Sequence, residues 1–424
     1  MVITLILTLA VLFLLNVPIA VALGLGTFLV VSLSGSFEVA TLPNRMFNAL
    51  DSFPLLAAPF FILAGKIMEH GGISEKLVKF ANSLVGHMKG GLAHVSIVAC
   101  MFFAALSGSS VATTAAVGGL LIPAMVKAGY DRNFATAVQA AGGTTGIIIP
   151  PSVPMVLFAV TGGVSVGDLF LGGIIPGLLV GVSLMLVAYV YSSIKGYKTT
   201  AKSNGSEVGQ SLIDSLLALL MPVIILGGIY GGIFTPTEAS VIAVVYGLVV
   251  GKFIYKKITF SVLKEILLST VITVSVLSLI IASASFFGLW LTLERIPHTL
   301  GEYINGTSLS PFMIMTLVII ILLIIGTFME PMSAIIILTP ILLPVTTTLG
   351  IDPVHFGIVM IVTLSIGLIT PPVGLNLFVA AKVGEIRYES LIKPTLPFIF
   401  ILIVDVIIIL LVPQLSVGIA NLLK

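Results

Sequence analysis

Two segments of the chain combine glycine, hydroxyl residues and a Pro-Pro pair inside otherwise apolar sequence. The first reads QAAGGTTGIIIPPSVPM over 139–155, and the second reads LSIGLITPPVGLNLF over 364–378. Glycine weakens a helix, and each proline removes a backbone donor and disfavours the α conformation of the residue before it. A helix that crosses a membrane through either segment must therefore unwind there, which exposes carbonyl groups on one side of the break and N–H groups on the other.

Such a break can bind ions with hardly any charged side chains. Backbone carbonyls and hydroxyl oxygens together form a site for a hard cation such as Na⁺, and free N–H groups at the start of a half-helix favour a carboxylate. Thr144 and Thr145 supply hydroxyls in the first segment, and Ser365 and Thr370 supply them in the second. The alternative interpretation is that the glycines serve close helix packing and the prolines only kink the helices.

Two further apolar regions, 91–127 and 312–348, carry a polar break in the middle, SGSSVATT at 107–114 and GTFMEPMS at 326–333. We interpret both as re-entrant hairpins, because irregular backbone at membrane depth is tolerated only inside protein or around water. Where the hairpin tips face the unwound helices, the predicted Na⁺-binding residues are Ser107, Gly108, Ser110, Gly142, Thr144, Thr145, Pro150, Gly326, Thr327, Gly367 and Thr370. The predicted substrate-binding residues are Ser109, Thr113, Ser152, Glu330 and Asn376.

The composition indicates that these segments lie in lipid. Of the 424 residues, 58% are hydrophobic and 8% are charged, with a formal net charge of +2. An ordinary soluble domain has about 25% charged residues, so a soluble fold of this size could not cover its surface. The composition also excludes a nucleic-acid binder, which needs a clustered basic face, and Cys100 as the only cysteine excludes a disulfide-stapled secreted domain.

Apolar runs of spanning length predict nine full spans besides the two hairpins. The first is an uncleaved N-terminal span over 1–31, and the others lie near 52–69, 133–161, 169–194, 212–233, 237–255, 266–292, 354–383 and 394–418. With this layout every lysine-rich loop falls on one side, which the positive-inside rule assigns to the cytoplasm. The N-terminus is then predicted to be cytoplasmic and the C-terminus external. The segment 37–50 is predicted to lie at the outer interface as a helix, or to be an ordinary loop.

The chain resembles itself at a shift of 221 residues. Pro123 meets Pro344, Gly146 meets Gly367, and the pair Pro150-Pro151 meets Pro371-Pro372. The hairpin tips align at a shift of 218, which pairs Gly108 with Gly326. We therefore predict an all-α polytopic membrane protein with a first repeat at 1–194, a cytoplasmic loop and linking span at 195–236, and a second repeat at 237–424. The linking span inverts the second repeat, a plan that recurs in secondary transporters.

Several segments resemble the large membrane subunit of TRAP (tripartite ATP-independent periplasmic) transporters, the DctM-like family, over essentially the whole chain. They include LDSFPLLAAPFFILAGKIME at 50–69, SGSSVATTAAVGGLLIPAM at 107–125, GYDRNFATAVQAAGGTTGIIIPPSVPM at 129–155, GGIFTPTEAS at 231–240 and LSIGLITPPVGLNLFVA at 364–380. The resemblance implies the ion transporter superfamily fold, with inverted repeats, two hairpins and an elevator-type moving domain in the bacterial inner membrane. It implies Na⁺ as the coupling ion and no other cofactor.

The resemblance also implies partners and cargo. A periplasmic substrate-binding protein would deliver an organic acid, and a small four-helix membrane subunit would complete the permease. We expect that subunit to be a separate chain. Family cargoes include sialic acid, other sugar acids and C4-dicarboxylates, and sialic acid is slightly preferred here.

The charged residues inside the apolar regions have open roles. Glu330 either contacts the substrate or ion, or orients the second hairpin tip. Glu238 follows TPT and suits a helix start, Arg132 suits an interfacial anchor, and Asp405 has no partner that the sequence identifies.

Other classes of protein fit the sequence less well. The five histidines form no HExxH cluster, neither a GxSG nor a GxGD motif occurs, and a phosphate loop is absent from the sequence, so neither an enzyme nor an ATP-driven pump is indicated. A channel, or an ion-coupled transporter that works without a binding protein, remains the alternative. A channel would conduct ions without ion-coupled accumulation.

Overall fold

A computed structural model describes residues 2–35, 41–197, 203–306 and 309–422, and among these residues all regular structure is helical. The first ten α-helices are α1 (Val2–Leu14), α2 (Ile19–Ser34), α3 (Thr41–Leu50), α4 (Ala57–His70), α5 (Ser74–Val85), α6 (Gly91–Ser107), α7 (Ser110–Lys127), α8 (Arg132–Gly143), α9 (Val153–Gly162) and α10 (Val166–Lys195). The other ten are α11 (Gly205–Tyr230), α12 (Pro236–Leu248), α13 (Phe260–Leu293), α14 (Ile296–Asn305), α15 (Pro311–Phe328), α16 (Pro331–Thr348), α17 (Pro353–Gly367), α18 (Leu375–Gly384), α19 (Glu389–Leu411) and α20 (Gln414–Leu422).

Nine helical segments in the described parts of the chain are long and apolar enough to cross a membrane, so the chain is a polytopic membrane protein. They are not the nine spans that the sequence predicted. They include the hairpin helices α7, α15 and α16, and they omit the spans predicted at 133–161 and 354–383, because each of these two is broken into shorter helices. Lipid is the natural solvent of the outer helix faces, where Val223 and Ile272 are more than half exposed.

The N-terminal region departs from the sequence prediction. The single span predicted at 1–31 is two helices, α1 and α2, separated by a turn in which Asn16 has a φ of 57° and Pro18 cannot continue a helix. A Cβ atom built on Gly26 would lie 3.0 Å from Cδ2 of Leu9, so α2 folds back along α1. The prediction of a cytoplasmic N-terminus was based on one crossing here, and the structure removes that basis.

Both predicted hairpins are helix pairs with a short break. Helices α6 and α7 pack against each other and are separated by Gly108 and Ser109. The backbone of Gly108 adopts the left-handed helical conformation. The second break is confined to Met329 and Glu330, so the helix continues through the predicted tip residues Gly326 and Thr327. Helix α15 packs mainly on α17 rather than on α16, which leaves the second pair more open than the first.

The helices form two groups. The frame helices, α1–α4 and α11–α13, pack on one another through the pairs α4–α12, α2–α13 and α11–α12. The tip helices, α6–α10 and α15–α20, include both hairpins and both broken spans, and they pack through pairs such as α7–α8, α8–α19 and α15–α17. The two groups meet where α4 contacts α6 and α9, and where α13 contacts α16.

Three short helices have no place among the predicted spans. Helix α3 contains the described part of the segment 37–50, has no buried residue and contacts α13, which agrees with an interfacial helix; residues 37–40 lie outside the described ranges. Helices α5 and α14 are amphipathic, and each one directly precedes a hairpin.

Candidate functional site

The first broken span unwinds where the sequence places its glycines and prolines. Helix α8 ends at Gly143, a 3₁₀ turn covers Thr144–Ile147, and α9 begins at Val153. The buried hydroxyls of Thr144 and Thr145 donate to the carbonyls of Ala141 and Gly142 at 2.6 and 2.7 Å. A hydroxyl that donates its proton keeps two acceptor lone pairs, so these two oxygens can still bind a cation.

The first hairpin tip lies directly on this break. A Cβ atom on Gly146 would lie 2.5 Å from the carbonyl oxygen of Ser109 and 2.7 Å from Cα of Ser110, so only glycine fits. The Ser110 hydroxyl donates to the carbonyl of Gly143 at 2.8 Å. Gly108 approaches the other end of the break, where an added Cβ would lie 3.1 Å from the carbonyl oxygen of Pro151. Carbonyls and hydroxyls of two segments therefore converge here.

The hydroxyls of the tip form a local network. Thr113 donates to the carbonyl of Ser109 at 2.7 Å, and its oxygen lies 3.0 Å from that of Ser107. The Ser109 side chain caps α7 by accepting from the N–H of Ala112. This network fixes the conformation of the tip while the Gly146 contact fixes its distance from the break.

The second half repeats this contact. Helix α17 ends at Gly367, α18 begins at Leu375, and the second Pro-Pro pair lies between them. A Cβ atom on Gly367 would lie 2.6 Å from Cα of Gly326 in the second hairpin. The N–H of Gly374 donates to the carbonyl of Thr327 at 3.4 Å, and Thr370 donates to the carbonyl of Ile366 at 2.7 Å.

The two halves also match at their helix starts and Pro-Pro pairs. Asp131 accepts from the N–H of Phe134 at the start of α8, and Asp352 accepts from the N–H of Val354 at the start of α17. Both Pro-Pro peptide bonds are cis.

Asn376 joins the second half to the first. Its side-chain amide, which is fully buried, donates to the hydroxyl of Ser110 at 2.7 Å and to the carbonyl of Ala140 at 3.2 Å. Its carbonyl oxygen is buried and has no hydrogen-bond partner among the described residues. Asn376 was predicted to bind substrate, but the structure places it inside the protein, between α18, the first tip and the first break.

A cavity of about 300 Å³ lies between the two hairpin tips and the frame helices; we call it the tip cavity. Of the predicted substrate-binding residues, Ser109 and Glu330 line it. Thr113, Ser152 and Asn376 do not line it, because their side chains are buried in hydrogen bonds within the protein. Three predicted Na⁺-binding residues, Ser107, Gly108 and Ser110, also line the cavity. The other predicted Na⁺-binding residues do not line the cavity; they lie at the breaks or at the end of α15, and they are Gly142, Thr144, Thr145, Pro150, Gly326, Thr327, Gly367 and Thr370.

Two charged residues of the tip cavity were missed as site residues. Lys66 and Glu69 of α4 line its wall opposite the tips. The ammonium of Lys66 donates to the hydroxyls of Ser269 and Thr273 of α13 at 2.7 and 3.1 Å. Lys66 lies inside the predicted span 52–69. A lysine within an apolar span is by itself a signal of function and could have identified it.

Glu330 orients the second hairpin tip, which is one of the two roles that were left open, and it also lies at the tip cavity. Its carboxylate accepts from the N–H of Ser333 at 3.1 Å and thereby caps α16, while its side chain also lines the tip cavity. The carboxylate is therefore held by the first turn of a helix whose first residues, Pro331 and Met332, also line the cavity.

The remaining charged residues have structural partners. Glu238 accepts from the N–H and the hydroxyl of Thr235 at 2.8 and 2.9 Å in a capping box at the start of α12, as the TPTE sequence indicated. Asp405 accepts from the Ser183 hydroxyl at 2.7 Å. Arg132 donates to the carbonyl of Gly384 and pairs with Glu385 at 3.6 Å, so it joins α8 to the end of α18.

Comparison with known proteins identifies relatives along the whole chain. The isethionate TRAP transporter permease protein DctMQ of Oleidesulfovibrio alaskensis is 42% identical over 96% of this chain, and the match spans 64% of that protein's length. The C4-dicarboxylate TRAP transporter large permease protein DctM of Pseudomonas aeruginosa is 44% identical over 94% of each chain. The sialic acid TRAP transporter large permease protein SiaM of Vibrio cholerae is 38% identical over 91% of this chain and 90% of that one.

A crystal structure of the Alcanivorax borkumensis YdaH transporter superposes with a TM-score of 0.65, at 14% identity, over 88% of this chain and 87% of that one. At this identity the match shows a shared fold only. The family model described as "Tripartite ATP-independent periplasmic transporter, DctM component" matches residues 6–415. The chain therefore belongs to the DctM component family of TRAP transporters, whose members are large permease subunits.

Proposed function

We propose that this chain imports an organic acid by an elevator mechanism that a Na⁺ gradient drives. The observation that carries the proposal is the position of the tip cavity. Both hairpin tips form one side of it, and frame helices α4 and α13 form the other. A substrate held there contacts two separate bodies of the protein, which is the arrangement that a sliding carrier needs.

The coupling step follows from the two contacts between a tip and a break. At each contact a glycine lets the backbone of a hairpin approach an unwound helix, and hydroxyls and carbonyls surround the junction. A Na⁺ ion at each junction would join two segments that otherwise repel through their carbonyl dipoles. Ion binding would thereby order both tips around the substrate, and the tip helices would then slide as one body along the frame helices.

The matching of the halves supports two inverted repeats. The pairs Asp131 and Asp352, and Gly146 and Gly367, have the same local roles at positions 221 residues apart. The fold-back of α1 adjusts the predicted repeat boundaries. Helix α1 now precedes α2 as α11 precedes α12, so the predicted linking span at 212–233 becomes the first helix of the second repeat.

The lysine-rich loops orient the protein in the membrane. Lys76, Lys79 and Lys89 follow α4, and they place the Lys66 end of this helix on the cytoplasmic side. The tip cavity would then lie near the cytoplasm, which supports an inward-facing state. In this orientation α3 and the start of α4 lie on the outer side, so α2 must end there. The turn between α1 and α2 is then cytoplasmic, and the N-terminus is external.

The family membership supports two partners, a small membrane subunit and a periplasmic substrate-binding protein that delivers the substrate. The named cargoes of the relatives are isethionate, C4-dicarboxylates and sialic acid. All of them are organic acids, and we propose this class for the chain. The slight preference for sialic acid stays a prediction.

Uptake into proteoliposomes tests the proposal, with the small subunit and the binding protein supplied. We expect labelled organic acid to accumulate above the external concentration when Na⁺ is higher outside, and to equilibrate only when Na⁺ is equal on both sides. Accumulation that persists without a Na⁺ gradient would contradict the coupling. Ion conductance with no accumulation of substrate would identify a channel instead.

A further inference from the structure

We propose that the tip cavity selects an acid with a single negative charge and several hydroxyl groups, and that it discriminates against dicarboxylates. Lys66 binds the acid group, and Glu330 and Glu69 accept hydrogen bonds from the hydroxyls. This inference builds on the proposed transport function and names the substrate class of its site.

The first step is the state of Lys66. Its ammonium has three donors, and two of them go to the hydroxyls of Ser269 and Thr273. Both partners are neutral, so they orient the ammonium without neutralising it. Within the described ranges no carboxylate lies close enough to form an ion pair with Lys66. Glu69, one helical turn further along α4, lies beyond ion-pair distance of this ammonium, so the third N–H remains available to an anion in the cavity.

The second step concerns the two acidic residues of the cavity, one on each wall. Glu330 lies at the second tip, and Glu69 lies three residues after Lys66 on α4, so one cation and two carboxylates face the same space. An ionised carboxylate only accepts hydrogen bonds. Hydroxyl groups on a substrate would satisfy these acceptors, whereas a second acid group would be repelled by them.

The third step compares ligand classes. A monoanion places its charge on Lys66 and its hydroxyls toward Glu330 and Glu69. A dicarboxylate leaves one carboxylate without a cation among the residues that line the cavity, and an unpaired charge in a desolvated site is strongly unfavourable. The volume of about 300 Å³ has room for a small polyhydroxylated acid.

The test measures Na⁺-driven uptake of labelled D-gluconate or N-acetylneuraminate by the complete transporter. Unlabelled hydroxylated monoanions and succinate are added as competitors. Binding of the same acids to the detergent-solubilised permease in Na⁺, measured as thermal stabilisation, excludes selection by the binding protein. We expect the hydroxylated monoanions to compete and to stabilise, and succinate to do neither at equal concentration.

Variants connect this selectivity to the named residues. Lys66→Gln should raise the half-saturating concentration of the monoanion about tenfold to hundredfold, the range for losing a hydrogen bond to a charged group, and Lys66→Arg should keep part of the affinity. Glu330→Gln should improve competition by succinate relative to the monoanion. The matched control is Lys76→Gln, because Lys76 lies on α5 over the ring of Tyr255 and outside the cavity.

Two results would overturn the inference. One is Na⁺-driven uptake in which succinate competes as well as, or better than, the hydroxylated monoanions, because transport would then be present without the proposed selectivity. The other is a folded Lys66→Gln protein with the affinity of Lys76→Gln. If Lys66→Gln does not fold, the competition series on the unaltered protein decides. Absence of Na⁺-driven uptake of any organic acid would instead contradict the proposed function itself.

Discussion

Glycine has its most specific use in this protein at the two contacts between a hairpin and a broken span. Gly146 lies against the backbone of Ser109 and Ser110, and Gly367 lies against the backbone of Gly326. Backbone atoms cannot rotate away as the end of a side chain can, so an added methyl group must push the tip off the break. The hydroxyl and carbonyl oxygens that should bind Na⁺ would then separate.

We therefore expect Gly146→Ala to weaken Na⁺ binding. Overpacking of this kind costs about 1–3 kcal/mol, which corresponds to about tenfold to hundredfold in the half-saturating Na⁺ concentration. The measurement is initial uptake rate against Na⁺ concentration. Gly119→Ala is the control, because it lies in the same hairpin and an added Cβ meets nothing within 4 Å. Equal Na⁺ dependence of the two variants would show that the close contact has no role in ion binding.

The sequence could predict the residue types at these contacts but not all of their partners. The glycines, the threonines and the Pro-Pro pairs identify both breaks, because these residues act on their own backbone. The position of Lys66 in an apolar span marks it as a functional candidate, but its partners could not be predicted, because they depend on α4 lying beside the tips. For the same reason the sequence could not show that Asn376 bonds to Ser110 and Ala140 of the other half.

Among the helices, the N-terminal pair α1 and α2 shows most clearly where the length of an apolar run predicts the wrong number of helices. A continuous apolar run over 1–31 looks like one span, and only Asn16 and Pro18 indicate the turn that makes it two helices. Helix α1 has 13 residues and α2 has 16. Each is shorter than a usual spanning helix, which has about 20 residues. The hairpins were easier to predict because a polar tip interrupts an apolar run about twice as long as α6 or α7.

The fold-back makes a prediction about accessibility. In a Cys100→Ala background, Asn16→Cys should react with a membrane-impermeant maleimide only from the cytoplasmic side, as Lys195→Cys at the end of α10 should. Ile233→Cys, in the loop between α11 and α12, is exposed and should react only from the other side. Labelling of Asn16→Cys from the side of Ile233→Cys, or protection of it from both sides, would contradict this path of the chain.

At the scale of the whole molecule, the frame and tip helices meet at two cavities along α13. The tip cavity includes Thr273, and a second cavity of about 440 Å³ includes Ser285 together with Arg45, Asn48 and residues of α9 and α16. Thr273 and Ser285 are twelve residues apart, which is about 18 Å along a helix axis. The sequence did not reveal the two groups, because the packing between helices depends on contacts far apart in the chain.

The positions of these two cavities define how far the tip helices must slide in an elevator mechanism. If the tip helices slide outward by about that distance along α13, Ala112 of the first tip should leave the neighbourhood of Thr273 and reach that of Ser285. Arg45, at the outer end, then faces the incoming acid, and Lys66 faces it after the inward movement.

Cross-linking of paired cysteines measures this movement directly. In a Cys100→Ala background, Ala112→Cys with Thr273→Cys should cross-link with Hg²⁺ in the conformation of this structure, because both residues line the tip cavity. Ala112→Cys with Ser285→Cys should also cross-link during turnover with Na⁺ and substrate, and each cross-link should stop uptake until it is reduced. A Thr273 pair that cross-links while the Ser285 pair never does, in a permease that is actively transporting, would contradict the sliding of the tips along the frame.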